Sequence, residues 1–328
     1  MKITTVSRWI SLLALTLLVV TDNQNKAYAF RHDVRPTRPT MKISTITTLR
    51  PRYSSKSMLS MVEGDTDMAV SVEQDMREKK IPIGSVPDFA ISNDSNTVTA
   101  TQKAWVYSHF LISFISFIQA LWQINHTGSG EVDMIAMSMV FIASIILGDF
   151  GTGVFHWSVD NYGSINTPVV GTVCAAFQGH HQTPWTITFR PFINNVYKIA
   201  YGTVPALLLT VWNSSDHPYA QIFFTLFINW WLISQELHKY SHMRQLPAVV
   251  QLLQRMGVIL SKKEHGLHHN SPFEGHYCIL TGVCNPVLDR TKFFRHLEKL
   301  VFKLTGNKPL TWLEDPAMEK EAMSTTLF

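Results

Sequence analysis

Four long apolar runs, at residues 106–124, 134–155, 196–212 and 219–237, dominate the chain after residue 100. Each is close to the length an apolar helix needs to cross the hydrocarbon of a bilayer, and the third is the shortest. None shows the strict alternation of a barrel strand, so helices are expected. Residues 61–100 are polar, mixed in charge and without sustained periodicity, the pattern of a disordered linker. After the fourth run, residues 247–260 and 289–304 have helical amphipathic spacing, with Phe293, Phe294, Leu297, Leu300, Val301 and Leu304 on one stripe of the second. Two placements fit such a stripe: packing on the rest of the domain, or lying in the membrane interface. The expected fold is all-α and integral to a membrane, with about four transmembrane helices, interfacial amphipathic helices, a domain over 101–312 and a C-terminal tail over 313–328.

Residues 1–29 are laid out as a secretory signal peptide: Lys2 and Arg8, then an apolar core from Ile10 to Val20, then Ala27-Tyr28-Ala29 as a cleavage site. Residues 30–60 begin with Phe30, are rich in Arg, Lys, Ser and Thr, and contain Asp33 as their only acid, which is transit-peptide composition. A signal, a junctional Phe and a transit-like stretch resemble the bipartite leaders of algae with complex plastids. The alternative is a plain secretory signal followed by a disordered segment, which would suit the endoplasmic reticulum.

Charge orients the runs. Loops 125–133 and 213–218 carry no Lys or Arg, whereas Lys103, Arg190, Lys239 and Arg244 border the other connections. The positive-inside bias therefore puts both termini and the long 156–195 segment on one face. The formal net charge is +4, and no basic stripe with interleaved aromatics occurs, which argues against nucleic acid as a partner. Cys174, Cys278 and Cys284 form no CxxC pair and read as ordinary residues.

Histidine then changes the picture. Of 14 histidines, eight fall in four clusters: His156, with Asp160 four residues on; His180-His181; His238 and His242; and His265, His268 and His269. Residues three or four apart share one helical face, so each cluster aims two or three groups at one point. An even number of spans returns the ends of runs two and four to the same side, so all four clusters can converge. Eight imidazoles and a carboxylate exceed one zinc site and suit two metal ions. Dinuclear zinc satisfies the ligand types equally, but a redox pair of irons makes better sense beside a membrane lipid. His32, His109, His126, His217 and His296 read as structural; His276 fits either class. Asp149, inside the second run, is a candidate catalytic or capping group. Gln178, Asn194, Asn195 and Asn285 are weaker candidates for supporting the ligands.

Specific wording surrounds these clusters. Gly148-Asp149-Phe150-Gly151-Thr152-Gly153-Val154-Phe155-His156-Trp157 leads to Asp160-Asn161-Tyr162-Gly163, then to Phe177-Gln178-Gly179-His180-His181, Pro184-Trp185-Thr186-Ile187-Thr188 and His268-His269-Asn270-Ser271-Pro272. From about Thr101 to Trp312 the chain resembles the family that unites plasmanylethanolamine desaturases with the chloroplast fatty acid desaturase 4 of plants, and the wording is nearer the plant branch. The resemblance implies an oxidoreductase with two Fe ions as cofactor and O₂ as co-substrate. The plant branch places a trans double bond at carbon 3 of palmitate in plastid phosphatidylglycerol, and the animal branch makes the vinyl ether of plasmalogens. It further implies His156, His180, His181, His238, His242, His265, His268 and His269 as iron ligands, with Asp160 as a ninth ligand or a partner that orients an imidazole. A membrane phospholipid would be the substrate. Electrons would come from ferredoxin in a plastid or cytochrome b5 in the endoplasmic reticulum. The residues between the histidines of the third and fourth clusters depart from the plant pattern, which touches substrate choice more than the metal site. Hydroxylation on the same centre and a non-enzymatic membrane metal-binding protein are the alternatives.

Asn125-His126-Thr127 and Asn213-Ser214-Ser215 are glycosylation sequons on the face opposite the histidines. A plastid protein is expected to show no mobility change on glycosidase digestion of the natively expressed chain; a shift would place it in the endoplasmic reticulum.

Overall fold

The computed structural model describes residues 95–127, 132–213 and 217–325, all of them helical or irregular with no strand among them. The expected signal peptide, transit-like segment and nearly all of the expected linker lie outside these residues.

Four long helices form the frame: α1 (Ala100–Thr127), α2 (Met134–Asn161), α4 (Phe192–Trp212) and α5 (Pro218–His242). Between α2 and α4 lie α3 (Gly171–His180) and a 3-10 turn at Pro184–Phe189. After α5 come α6 (Ala248–Arg255), α7 (Lys262–His268), α8 (Asn285–Arg290), α9 (Phe293–Thr305), α10 (Leu310–Glu314) and α11 (Pro316–Ser324). α5 is central and packs on α1, α2 and α4, while α1 also lies along α4.

The four apolar runs each became a helix, extended beyond the run by polar residues at the ends. Helices α1 and α2 are long and apolar enough to cross a membrane. Their outer surfaces expose Leu111, Phe114, Ile135, Met139 and Ile142, the inverse of a helix solvated by water. Polar groups face inward. The Ser116 and Thr225 hydroxyls are 2.7 Å apart, Asn229 donates to Ser113 Oγ, Gln221 donates to the Ser116 carbonyl, and Trp230 donates to Ser144 Oγ. Interhelical hydrogen bonds of this kind hold helices together where hydrocarbon supplies no hydrophobic drive.

The remaining elements gather at the C-terminal ends of α2 and α5. The amphipathic stretch expected at 289–304 is two helices, because Lys292 adopts left-handed backbone between α8 and α9. The helices also continue past Trp312: α11 packs on α9, and Lys299 Nζ donates to the carbonyls of Met323 and Thr325. A buried carboxylate, Glu298, binds the Arg295 guanidinium and accepts from both Trp157 Nε1 of α2 and Trp312 Nε1 of α10. Another, Glu236 of α5, pairs with Lys239 and accepts from Asn195 of α4. Both charges are buried with partners on hand, which is the condition for tolerating them there.

The segment 278–284 runs against α2 and is held by Asp149. Its Oδ1 accepts from the backbone N–H groups of Thr281 and Gly282 at 2.7 and 2.9 Å, and its Oδ2 from that of Cys284 at 3.0 Å. One turn on, a Cβ on Gly153 would lie 2.5 Å from Cys278 Sγ, so only glycine admits the segment this close. Replacing Asp149 by Ala leaves three backbone donors in need of partners, each worth about 1–3 kcal/mol when buried. Asp149→Ala is expected to lower the apparent unfolding temperature in detergent by several degrees, with Asp149→Asn between it and the parent. Three equal midpoints would mean that this anchor contributes nothing.

Candidate metal centre

The candidate ligand side chains sit at helix ends. His156 and Asp160 sit one turn apart at the end of α2, and His238 and His242 one turn apart at the end of α5. His180 ends α3, and His181 is its C-cap residue. His265 and His268 lie on α7, started by Ser261, whose hydroxyl accepts from Glu264 N–H; His269 is the C-cap residue.

These nine residues meet in two groups. His180, His238, His242, His265 and His269 form one, and His156, Asp160, His181 and His268 the other; within each, one ligand atom per residue lies within 4.8 Å of all the rest. The closest nitrogens are His180 and His242 Nε2 at 2.9 Å, His265 and His269 Nε2 at 3.0 Å, and His181 and His268 Nε2 at 3.0 Å. Nitrogens bound about 2.1 Å from a shared ion stand roughly 3.0–3.4 Å apart at octahedral to tetrahedral angles, so the spacing suits a shared ion.

Hydrogen bonding sharpens this test. His156 Nδ1–H donates to the Tyr277 carbonyl at 3.0 Å, and His268 Nδ1–H to the Gly275 carbonyl at 2.9 Å. In the neutral ring each Nε2 is then a bare lone pair. Both lone pairs face Asp160 Oδ2, at 3.2 and 3.4 Å, an acceptor facing acceptors. His156 Nε2 and both Asp160 oxygens have no hydrogen-bond partner among the described residues. A cation between them resolves the repulsion, and this donor set fits one.

Burial keeps the ring nitrogens available. Desolvation, reinforced by neighbouring imidazoles, holds His180 and His265 well below the usual histidine range. It lowers His268 as well and brings His269 to about 2. Neutral imidazole is the form that binds a metal.

Three aromatic side chains wall the groups, a role that spacing did not reveal. Tyr277 is fully buried with its ring 4.9 Å from that of His268 and 5.8 Å from that of His156. Phe273 stacks on His181 at 4.4 Å, and Phe177 meets His156 edge-on at 5.1 Å. Tyr277 lies 121 residues from His156, and no local pattern links them.

Other sequence candidates lie outside the two groups. Asp149 serves the backbone of 281–284, so the carboxylate offered as a catalytic group is occupied as an anchor. Gln178 donates to the Val159 carbonyl, Asn194 to that of Ser95, Asn195 to that of Gln235, and Asn285 brackets both backbone groups of Cys278. All four serve the backbone and take no place in either group. His276 stands between Glu264 and Asp289, at 3.3 and 3.4 Å. His109 is buried in α1 beside Thr203 Oγ1, and His126 bonds the Trp122 carbonyl.

The profile of the lipid desaturase domain matches residues 145–312, from mid-α2 to α10. The chain is 34% identical over 245 residues to fatty acid desaturase 4-like 1, chloroplastic, of Arabidopsis thaliana, covering 74% of this chain and 81% of that protein. It is 36% identical over 219 residues to fatty acid desaturase 4, chloroplastic, of the same plant, 66% of either chain. Plasmanylethanolamine desaturase 1 of Mus musculus is 34% identical over 179 residues, 51% of this chain and 66% of that one. No solved structure matches. With the matched domain enclosing all nine converging residues, the chain belongs to the lipid desaturase family and is an oxidoreductase of the fatty acid desaturase class.

Proposed function

We propose that this protein is a four-span membrane desaturase with a di-iron centre, and that it introduces a trans-3 double bond into the palmitoyl chain of plastid phosphatidylglycerol. The observation that carries the reading is the position of the two donor groups, at the C-terminal ends of α2 and α5 and not midway along them. A centre at the end of the spans meets acyl carbons close to the headgroup. The chloroplast assignments of the plant relatives favour a plastid membrane, reached through the bipartite leader.

On this reading, His180, His238, His242, His265 and His269 hold one iron, and His156, His181 and His268 hold the other with Asp160. The irons would supply activation of O₂ and removal of two hydrogens from adjacent carbons, with water as co-product. Electrons come from an external donor: ferredoxin in a plastid, or cytochrome b5 for a protein of the endoplasmic reticulum. The chain's own part is positioning. The carbonyls of Gly275 and Tyr277 fix the tautomers of His268 and His156, so that Nε2 points inward. Tyr277, Phe177 and Phe273 exclude water from the imidazoles.

The similarity to plasmanylethanolamine desaturases supports a second reading, vinyl-ether formation in an ether lipid on the same centre.

The test expresses the full chain in a plant line lacking its own trans-3 desaturase, with His268→Ala beside it. Trans-3-hexadecenoate in phosphatidylglycerol is expected with the parent only. The purified parent should hold about two irons per chain, and the variant clearly fewer. An accumulated, iron-loaded and correctly localised parent that makes no such acid refutes the substrate; a vinyl ether in its place selects the second reading.

Removing the aromatic wall should cost less than removing a ligand. A Tyr277→Ala variant keeps the backbone carbonyl that bonds His156 but removes the ring behind His156 and His268, and is expected to lose about 10- to 100-fold in activity or iron affinity, the range for groups surrounding metal ligands. Unchanged iron retention under chelator and unchanged turnover would remove Tyr277 from the supporting shell.

A further inference from the structure

An apolar cleft of about 580 Å³ lies between α2 and α5, lined by Leu147, Gly151 and Val154 on one side and Phe224, Phe227 and Trp231 on the other. Its volume is within the range of small-molecule pockets, yet it offers almost no polar group to a ligand. Leu147 and Phe224 at its rim are about half exposed, at 48% and 51%, on the outward side of the frame. Because α2 rises about 1.5 Å per residue, the lining from Leu147 to Ser158 runs roughly 16 Å along the helix. The floor depends on a missing side chain: a Cβ on Gly151 would lie 2.9 Å from Trp231 Cζ2, so glycine lets the indole lie flat against α2.

One end of the cleft reaches the ligands. Phe155, also in its lining, packs against Trp231 at 5.7 Å and against Phe177 at 5.9 Å, and Phe177 touches the His156 ring. The other end, at Leu147 midway along α2 and Phe223 in the N-terminal turns of α5, opens beside Phe224 on the apolar outer surface. A polar or charged ligand would be stripped of water there without compensation. A hydrocarbon chain loses nothing, and its direction follows from the position of the centre.

We propose that this cleft seats the acyl chain of the lipid substrate lengthwise, with the ester-proximal carbons at Phe155 and Trp231 beside His156 and the methyl end at Leu147 and Phe223. The proposal rests on the reading of the centre as a lipid desaturase site. It assigns Val154 and Leu147 as determinants of substrate fit: Val154 borders the passage along which the chain lies, and Leu147 closes its far end. Bulk at Leu147 should shorten the accepted chain, and bulk at Val154 should shut out all chains.

The test uses the full, iron-loaded chain in phosphatidylcholine nanodiscs with phosphatidylglycerol bearing a diazirine either near the ester or near the methyl end of one acyl chain. Cross-links are mapped by mass spectrometry. The ester-proximal probe is expected at Phe155 and Trp231 and the methyl-end probe at Leu147 and Phe223, both suppressed by excess unlabelled phosphatidylglycerol. Labelling around Leu111, exposed on α1, should not be suppressed. Val154→Trp should abolish the suppressible labelling and lower product about 10- to 100-fold with iron content unchanged. Leu147→Trp should shift preference from hexadecanoyl to shorter chains.

Cleft labelling as insuppressible as that at Leu111 marks ordinary surrounding lipid and overturns the proposal, as does a reversed order of the probes or normal turnover in Val154→Trp. Ordered, suppressible labelling without any desaturated product supports the seat and refutes the reaction assigned to it. Product formation with no effect at Val154 or Leu147 does the reverse.

Discussion

Eight imidazoles and a carboxylate present lone pairs to one another in a space where pairs of nitrogens stand 3 Å apart, and the rest of the fold is arranged around making that tolerable. Burial denies the rings water, and their mutual proximity opposes protonation, so the positive charge that the acceptors need must come from elsewhere. A cation within each group would meet that need. The requirement reaches outward: α2 and α5 must end at the same level, and α3 and α7 must be pressed against those ends with His180, His181, His265, His268 and His269 in register.

Three acidic side chains outside the ligand set supply much of that alignment. Asp149 draws the 281–284 backbone onto α2, Glu236 ties α5 to α4 through Asn195, and Glu298 joins α9 to α2 and α10 through two tryptophans. Each spends its charge on hydrogen bonds within the frame. With 278–284 fixed by Asp149, the preceding strip is placed so that the Gly275 and Tyr277 carbonyls meet the outer nitrogens of His268 and His156. Two of the three imidazoles of the second donor group thus have their tautomers set from one irregular segment. In the first group, Nδ1 of His238, His265 and His269 has no hydrogen-bond partner among the described residues. The two groups therefore differ in hydrogen-bonded support as well as in charge.

The frame buries polar side chains among its apolar core clusters and turns large apolar ones outward, which departs from the usual logic of burial in water. Hydroxyl and amide groups meet between α1, α2 and α5, while leucine, isoleucine and phenylalanine face outward. In hydrocarbon the unsatisfied polar group is the costly one, so polar side chains seek each other along the helix contacts. The aromatic cleft between α2 and α5 interrupts that seam with an almost wholly apolar passage ending against Phe155 and, through Phe177, against His156.

Much of this was legible in the chain itself. Long apolar runs dictate helices because backbone groups in an apolar medium must be satisfied within the segment, and i, i+4 histidines share a face by the pitch of the helix alone; the nine converging residues could be named from those two facts and the family wording. Boundaries and supporting contacts were not local properties. The break at Lys292, the continuation into α11 and the occupation of Asp149 by the 281–284 backbone depend on contacts between distant segments. So do Tyr277 against His156, Phe273 on His181 and the fit of Cys278 over Gly153. Periodicity fixes which residues share a face of one element; only packing decides which faces meet, and it is at those meetings that the tautomers and the walls of the centre are set.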